Sequence, residues 1–67
     1  MTYELMRQVE EQMEDELESA MRYIQLALNM KYSDRDFADA YFDMARQEVG
    51  HINVLHGLVT KSIKSMD

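Results

Sequence analysis

Sixty-seven residues can build one domain at most, and one with little buried volume. Without cysteine there is no disulfide, no thiolate metal site and no redox pair, so stability must come from a metal, a partner subunit or close helix packing. Thirteen acidic against seven basic residues, a net charge of −6, argue against nucleic acid as a partner and suit solubility or cation handling. No apolar run reaches the roughly 18 residues of a membrane span. The opening MTYELMRQVE has no signal-peptide apolar stretch. A cytoplasmic protein with no membrane partner is therefore expected. No proline, two glycines and 46% hydrophobic residues point to an all-α fold.

Helix formers run almost unbroken over residues 2 to about 29, which predicts the first helix. The break falls at NMKYSDRD, where Ser33 is a suitable N-cap and Asp34 and Asp36 suit the positive end of a helix dipole. A second helix is then expected from about 34 to 64, with Lys61 and Lys64 near its end. At 1.5 Å per residue each helix is roughly 40 to 45 Å long. A short connection between two such helices makes an antiparallel hairpin.

Alternating steps of three and four residues trace one seam on each helix. In the first helix it passes through Val9, Met13, Glu16, Ala20, Tyr23, Ala27 and Met30. In the second it passes through Phe37, Tyr41, Met44, Glu48, His51, Leu55 and Leu58. Three ionisable residues interrupt the two apolar stripes: Glu16, Glu48 and His51. An unpaired buried carboxylate costs several kcal/mol, and one histidine does not offset two of them. A divalent ion does, because carboxylate oxygen and neutral imidazole both ligate iron, manganese or zinc. One hairpin offers three ligands, too few to close a site. Two hairpins related by a two-fold axis offer four glutamates and two histidines, the ligand inventory of dinuclear carboxylate bundles.

The segment ARQEVGH resembles the A-x-x-E-x-x-H segment of ferritin-like and rubrerythrin-like proteins, and ELESAMRY has the glutamate and the tyrosine seven residues on that mark their first metal-binding helix. Over roughly residues 8 to 60 the chain is most similar to encapsulated ferritins, short hairpins that complete a ferritin-like bundle by pairing subunits. That resemblance implies an all-α antiparallel hairpin, residues 1–67, that dimerises into a four-helix bundle. It implies two irons per subunit pair, with manganese or zinc able to replace them, held by Glu16, Glu48 and His51. These residues would also be the catalytic ones of a ferroxidase, which oxidises Fe(II) with dioxygen for iron storage or detoxification. It further implies that Tyr23, and by the same heptad spacing Tyr41, orient or tune those ligands. Asp15 and Glu18 stand where the family has acidic neighbours of the first glutamate; with Glu11 they would form an outer site for cation approach. Many relatives carry an acid directly before the second glutamate, where this chain has Gln47, which disfavours a site with an extra carboxylate. The resemblance would also imply an encapsulin shell as partner and compartment, but the last residues, KSIKSMD, lack the docking tail of such relatives, which leaves encapsulation unsupported.

Two rival readings use the same residues. Rubrerythrin-like peroxide reduction would need an electron donor, and the chain has no rubredoxin-like cysteines. A non-catalytic, metal-stabilised helical module would use the polar seam to set oligomer register. The bland readings of the remaining features are filler methionines in a bundle and an interface or partly exposed His56 on the stripe with Ala45, Ile52 and Ile63. Gly50 and Gly57 share the outward face of the second helix. Both helices have broad apolar arcs, about 200° wide on the second, against the roughly 100° that one core-facing stripe needs. A second apolar surface containing Leu17, Met21, Leu28, Val49 and Ile52 is therefore expected to join dimers into a ring.

Overall fold

The computed structural model describes residues 2–65, and among these the chain is two helices, α1 (Tyr3–Met30) and α2 (Arg35–Ser65), packed as a hairpin. The end of the KSIKSMD segment lies outside the described residues. Thr2 caps α1, its hydroxyl oxygen accepting a hydrogen bond from the Leu5 amide at 3.2 Å. The predicted cap of α2 moves by one residue. Asp34, not Ser33, accepts from the Phe37 amide through its side chain, and its carbonyl takes the first helical bond from Ala38. Ser33 instead belongs to the turn, its amide donating to the Met30 carbonyl.

The backbone spans 52 × 16 × 10 Å, with a radius of gyration of 15.4 Å. A compact chain of this length would have about 11 Å, so the molecule is a single layer of two helices with no second layer behind it. No described helix is long and apolar enough to cross a membrane.

The two helices touch over small residues. Among the described residues the buried side chains are Ala20 and Ala27 on α1 and Ala38 and Ala45 on α2, and no large side chain is completely enclosed. Alanines let the helix axes approach closely, and each contributes little apolar area. Burial at about 25 cal/mol per Å² therefore cannot offset the conformational entropy of two long helices within one hairpin. Meanwhile Leu17, Met21, Ile24, Leu28, Phe37, Met44, Val49 and Leu58 all remain exposed. A Cβ added at Gly50 or Gly57 would meet nothing within 4 Å, so packing inside the hairpin does not require glycine there.

The α1 seam lies where the periodicity places it, with Val9, Met13, Glu16, Ala20, Tyr23, Ala27 and Met30 all buried or half-buried. The α2 seam needs correction. Tyr41, Glu48 and Leu55 do face α1, but Phe37, Met44, His51 and Leu58 are exposed on one flank. Their places against α1 are taken by Ala38, Ala45, Ile52 and Val59. Both sets repeat every seven residues and share the same central line. The small side chains of Ala38 and Ala45 win the contact because a phenylalanine or methionine there would hold the helices apart.

Candidate metal centre

Antiparallel packing puts residues of the two helices level when their positions change in opposite directions. Tyr23 stacks on Tyr41 with ring centroids 6.1 Å apart and planes 20° from parallel. One heptad back along α1 and one heptad on along α2 lies the second cross-helix contact, Glu16 against Glu48 and His51. One ligand atom from each of these three residues can be chosen so that all lie within 4.8 Å of one another. The polar interruptions of the two stripes therefore meet at one point of the hairpin, about 10 Å of helix rise from the tyrosine pair.

Glu16 is the hub. Its Oε2 lies 3.1 Å from Nδ1 of His51, and its Oε1 accepts a hydrogen bond from Nε2 of Gln12 at 2.9 Å. Glu48 hydrogen-bonds to it as well. Hydrogen bonding from Glu48 first, then from His51 and Gln12, holds the Glu16 carboxyl below a glutamate's ordinary value. Glu48 moves the other way. Its hydrogen bond to Glu16, its own desolvation and the negative charge of Glu16 push it up. Two neighbouring carboxyls are thus pushed in opposite directions, which makes Glu48 the one that keeps a proton more readily.

Neighbouring ligands on one ion, with bonds of about 2.1 Å, stand roughly 3.0 to 3.4 Å apart for octahedral or tetrahedral angles, and the His51–Glu16 separation of 3.1 Å falls in that range. The donor set of two carboxylates and one imidazole suits iron, manganese or zinc. The site is lopsided, however. The Glu16 side chain is only 13% exposed, whereas that of His51 is 61% exposed. His51 was expected inside the seam; it stands on the open flank of α2, beside Met44 and Leu58, because the alanine stripe turns that flank away from α1. From one chain the cluster is half covered and half open to water.

Other predicted participants lie farther out. The Tyr23 and Tyr41 rings are half-buried in the same seam, and among the described residues neither hydroxyl bonds to Glu16, Glu48 or His51. Glu11, Asp15 and Glu18 are exposed, and Glu11 pairs with Arg7 at 3.4 Å. At 100° per residue, Asp15 and Glu18 leave α1 about 100° and 160° away from Glu16, which keeps them out of the cluster. His56 is exposed and outside it too, its carbonyl accepting from the Thr60 hydroxyl. Gln12 is the contact that sequence reasoning missed. The signal was present, since a glutamine four residues before a glutamate lies on the same helix face and within reach of it. No protein-family model, curated protein or solved structure matches the chain.

The opposed shifts of the two carboxyls make stability without metal depend on pH. The contribution of Glu16, whose carboxyl is lowered, is present above its ordinary value of 4.5 and is lost as pH falls through the lowered value. The contribution of Glu48, whose carboxyl is raised, is present below 4.5 and is lost as pH rises through the raised value. The metal-free protein should thus be most stable in mild acid. Glu48→Gln keeps a donor that never ionises, so its melting temperature in chelator should fall less than the wild type's between pH 4.5 and 7. Equal slopes for the two proteins would show that the Glu48 carboxyl is not raised in the folded protein.

Proposed function

We propose that two copies of this hairpin pair into a ferritin-like four-helix bundle that binds two iron ions and oxidises Fe(II) with dioxygen. The observation that carries this reading is the convergence of Glu16, Glu48 and His51 from two helices onto one point, with ligand atoms within 4.8 Å. Three ligands from one chain leave an ion open to water, and a two-fold partner supplies three more. The exposed flank of Phe37, Met44, His51 and Leu58 is the surface such a partner would cover, and His51 lies in its middle. Burial of the same flank would desolvate the imidazole and complete an apolar shell around the ions.

In that assembly Glu16 and Glu48 would hold or bridge the irons and His51 would ligate one from each chain. Iron supplies the one-electron chemistry, with Fe(II) as the substrate that is oxidised and dioxygen as the acceptor. The chain's own part is electrostatic. Four glutamates would offset the charge of two divalent ions and favour the ferric product, which carries more charge still. Loading would release a proton wherever Glu48 is still protonated, because both carboxylates must be ionised to ligate. The stacked Tyr23 and Tyr41 would wall the site on one side along the seam. The acidic outer face with Asp15 and Glu18 would raise the local cation concentration.

Sedimentation and metal analysis with and without Fe(II) test the shared site. The expected result is two irons per two chains, with chelation shifting the population toward monomer. A monomer that held iron tightly, or an unchanged mass and melting temperature on iron addition, would count against it.

A further inference from the structure

We infer that Gln12 is a positioning residue of the metal site: its side-chain amide clamps Oε1 of Glu16, which leaves Oε2 as the oxygen presented to the ion. The inference rests on the metal-binding role proposed above and assigns a function to a residue outside the ligand set.

Gln12 lies one turn before Glu16 on α1 and donates to Oε1 at 2.9 Å, while His51 Nδ1 addresses Oε2 at 3.1 Å. Each oxygen of Glu16 thus has its own side-chain neighbour. A glutamate's terminal torsion is broad and roughly two-fold, so without a clamp either oxygen could turn toward the ion, or both could bind it together. The bond from Gln12 removes that freedom on one side. What sets it apart from the other side-chain pairs four residues apart, Arg7–Glu11 at 3.4 Å and Arg35–Asp39 at 3.2 Å, is that it ends on a residue of the Glu16, Glu48 and His51 cluster.

The chemistry of the clamp matters as much as its reach. Arginine or lysine would make a stronger bond but would neutralise Glu16 and repel a cation. Glutamine orients the carboxylate and leaves its negative charge for the metal. Outer hydrogen-bond partners of this kind commonly change metal affinity by about 10- to 100-fold when removed. A helix-surface pair with no role in the site would change only helix stability, and slightly.

The test uses the full chain and Co(II), whose visible absorption reports the number and arrangement of ligands. Gln12→Met keeps the length and helix preference and removes the donor. Gln25→Met makes the same exchange on the outward side of α1, where the glutamine is exposed. Expected for Gln12→Met are an unaltered helix content, Co(II) binding weakened about tenfold, and a changed Co(II) band shape as Glu16 becomes free to bind through both oxygens. Gln25→Met should match the wild type. Gln12→Leu, an even stronger helix former, repeats the deletion in case methionine disturbs the fold. Wild-type affinity and spectrum in either Gln12 variant overturn the clamp while the metal site stands. A wild type that gives no Co(II) spectrum overturns the site and the clamp together.

Discussion

His51→Ala and Glu16→Ala should each abolish the rapid rise in ferric absorbance when Fe(II) meets aerated buffer. The effect is large because the site is proposed to be shared: one substitution deletes two of six ligands, one from each chain. The loss is also not confined to the missing contact. Removing His51 leaves Glu16 and Glu48 facing one another without the imidazole that addresses Oε2 of Glu16. Removing Glu16 takes away the group that His51, Glu48 and Gln12 all address. An affinity loss of at least 100-fold is expected for either, at the upper end of what a metal site loses with one supporting group. Asp15→Ala combined with Glu18→Ala should only slow the rise a few-fold, since these exposed carboxylates can act through long-range attraction alone. Stopped-flow absorbance and equilibrium dialysis separate the outcomes. If the outer pair proves indispensable and Glu16 dispensable, the inner and outer roles are reversed. Iron bound by the wild type without oxidation would leave a metal-stabilised assembly in place of a ferroxidase.

Much of this arrangement was legible in the chain, and the exceptions have physical reasons. The two helices follow from composition, and the α1 seam follows from its three-four periodicity, because the line of Glu16, Ala20, Tyr23 and Ala27 is the one that packs on α2 while Leu17, Met21, Ile24 and Leu28 lie to one side of it. On α2 two apolar stripes share the central line of Tyr41, Glu48 and Leu55. Periodicity alone cannot say whether the flank with Phe37, Met44 and His51 or that with Ala38, Ala45 and Ile52 faces α1. Close helix approach decides it, and the alanines hold the contact. Glu16 and Glu48 meet under either choice, since both lie on central lines; the exposure of His51 depends on it. The cap at Asp34 was a one-residue contest between two good capping types, settled by the turn that occupies Ser33. The spacing of Gln12 and Glu16 puts them within reach of one another, but which carboxylate oxygen Gln12 addresses depends on a side-chain torsion that residue types do not specify.

The iron-loaded protein should assemble beyond the dimer, and the two flanks of the hairpin explain why. On a helical wheel Leu17, Met21, Ile24 and Leu28 leave α1 about 80° to 140° round from Glu16, and Phe42 and Val49 leave α2 about 100° to 120° round from Glu48. Two grooves join these residues across the helices. One is lined by Ile24 of α1 with Phe42, Ala45 and Val49 of α2, the other by Met13 and Leu17 of α1 with Ile52 of α2. This surface lies in the opposite rotational sense from Met44, His51 and Leu58, so a partner that completes the metal site cannot also cover it. Leu17, Met21, Leu28 and Val49 would stay exposed in a lone dimer, with Ile52 half-buried beside them. Apolar patches of that extent usually mark a further interface. Two distinct two-fold interfaces on one subunit, used alternately, close into a ring with an even number of chains. Native mass spectrometry of the iron-loaded protein should therefore show one dominant species at an even multiple larger than two. Leu17→Glu with Val49→Glu should collapse it to dimers that still bind iron, because a carboxylate in each groove blocks the second interface and leaves the first untouched. A wild type that is a stable dimer with nothing larger would falsify the second interface, and a double variant that lost iron along with the ring would show that the two surfaces are not independent.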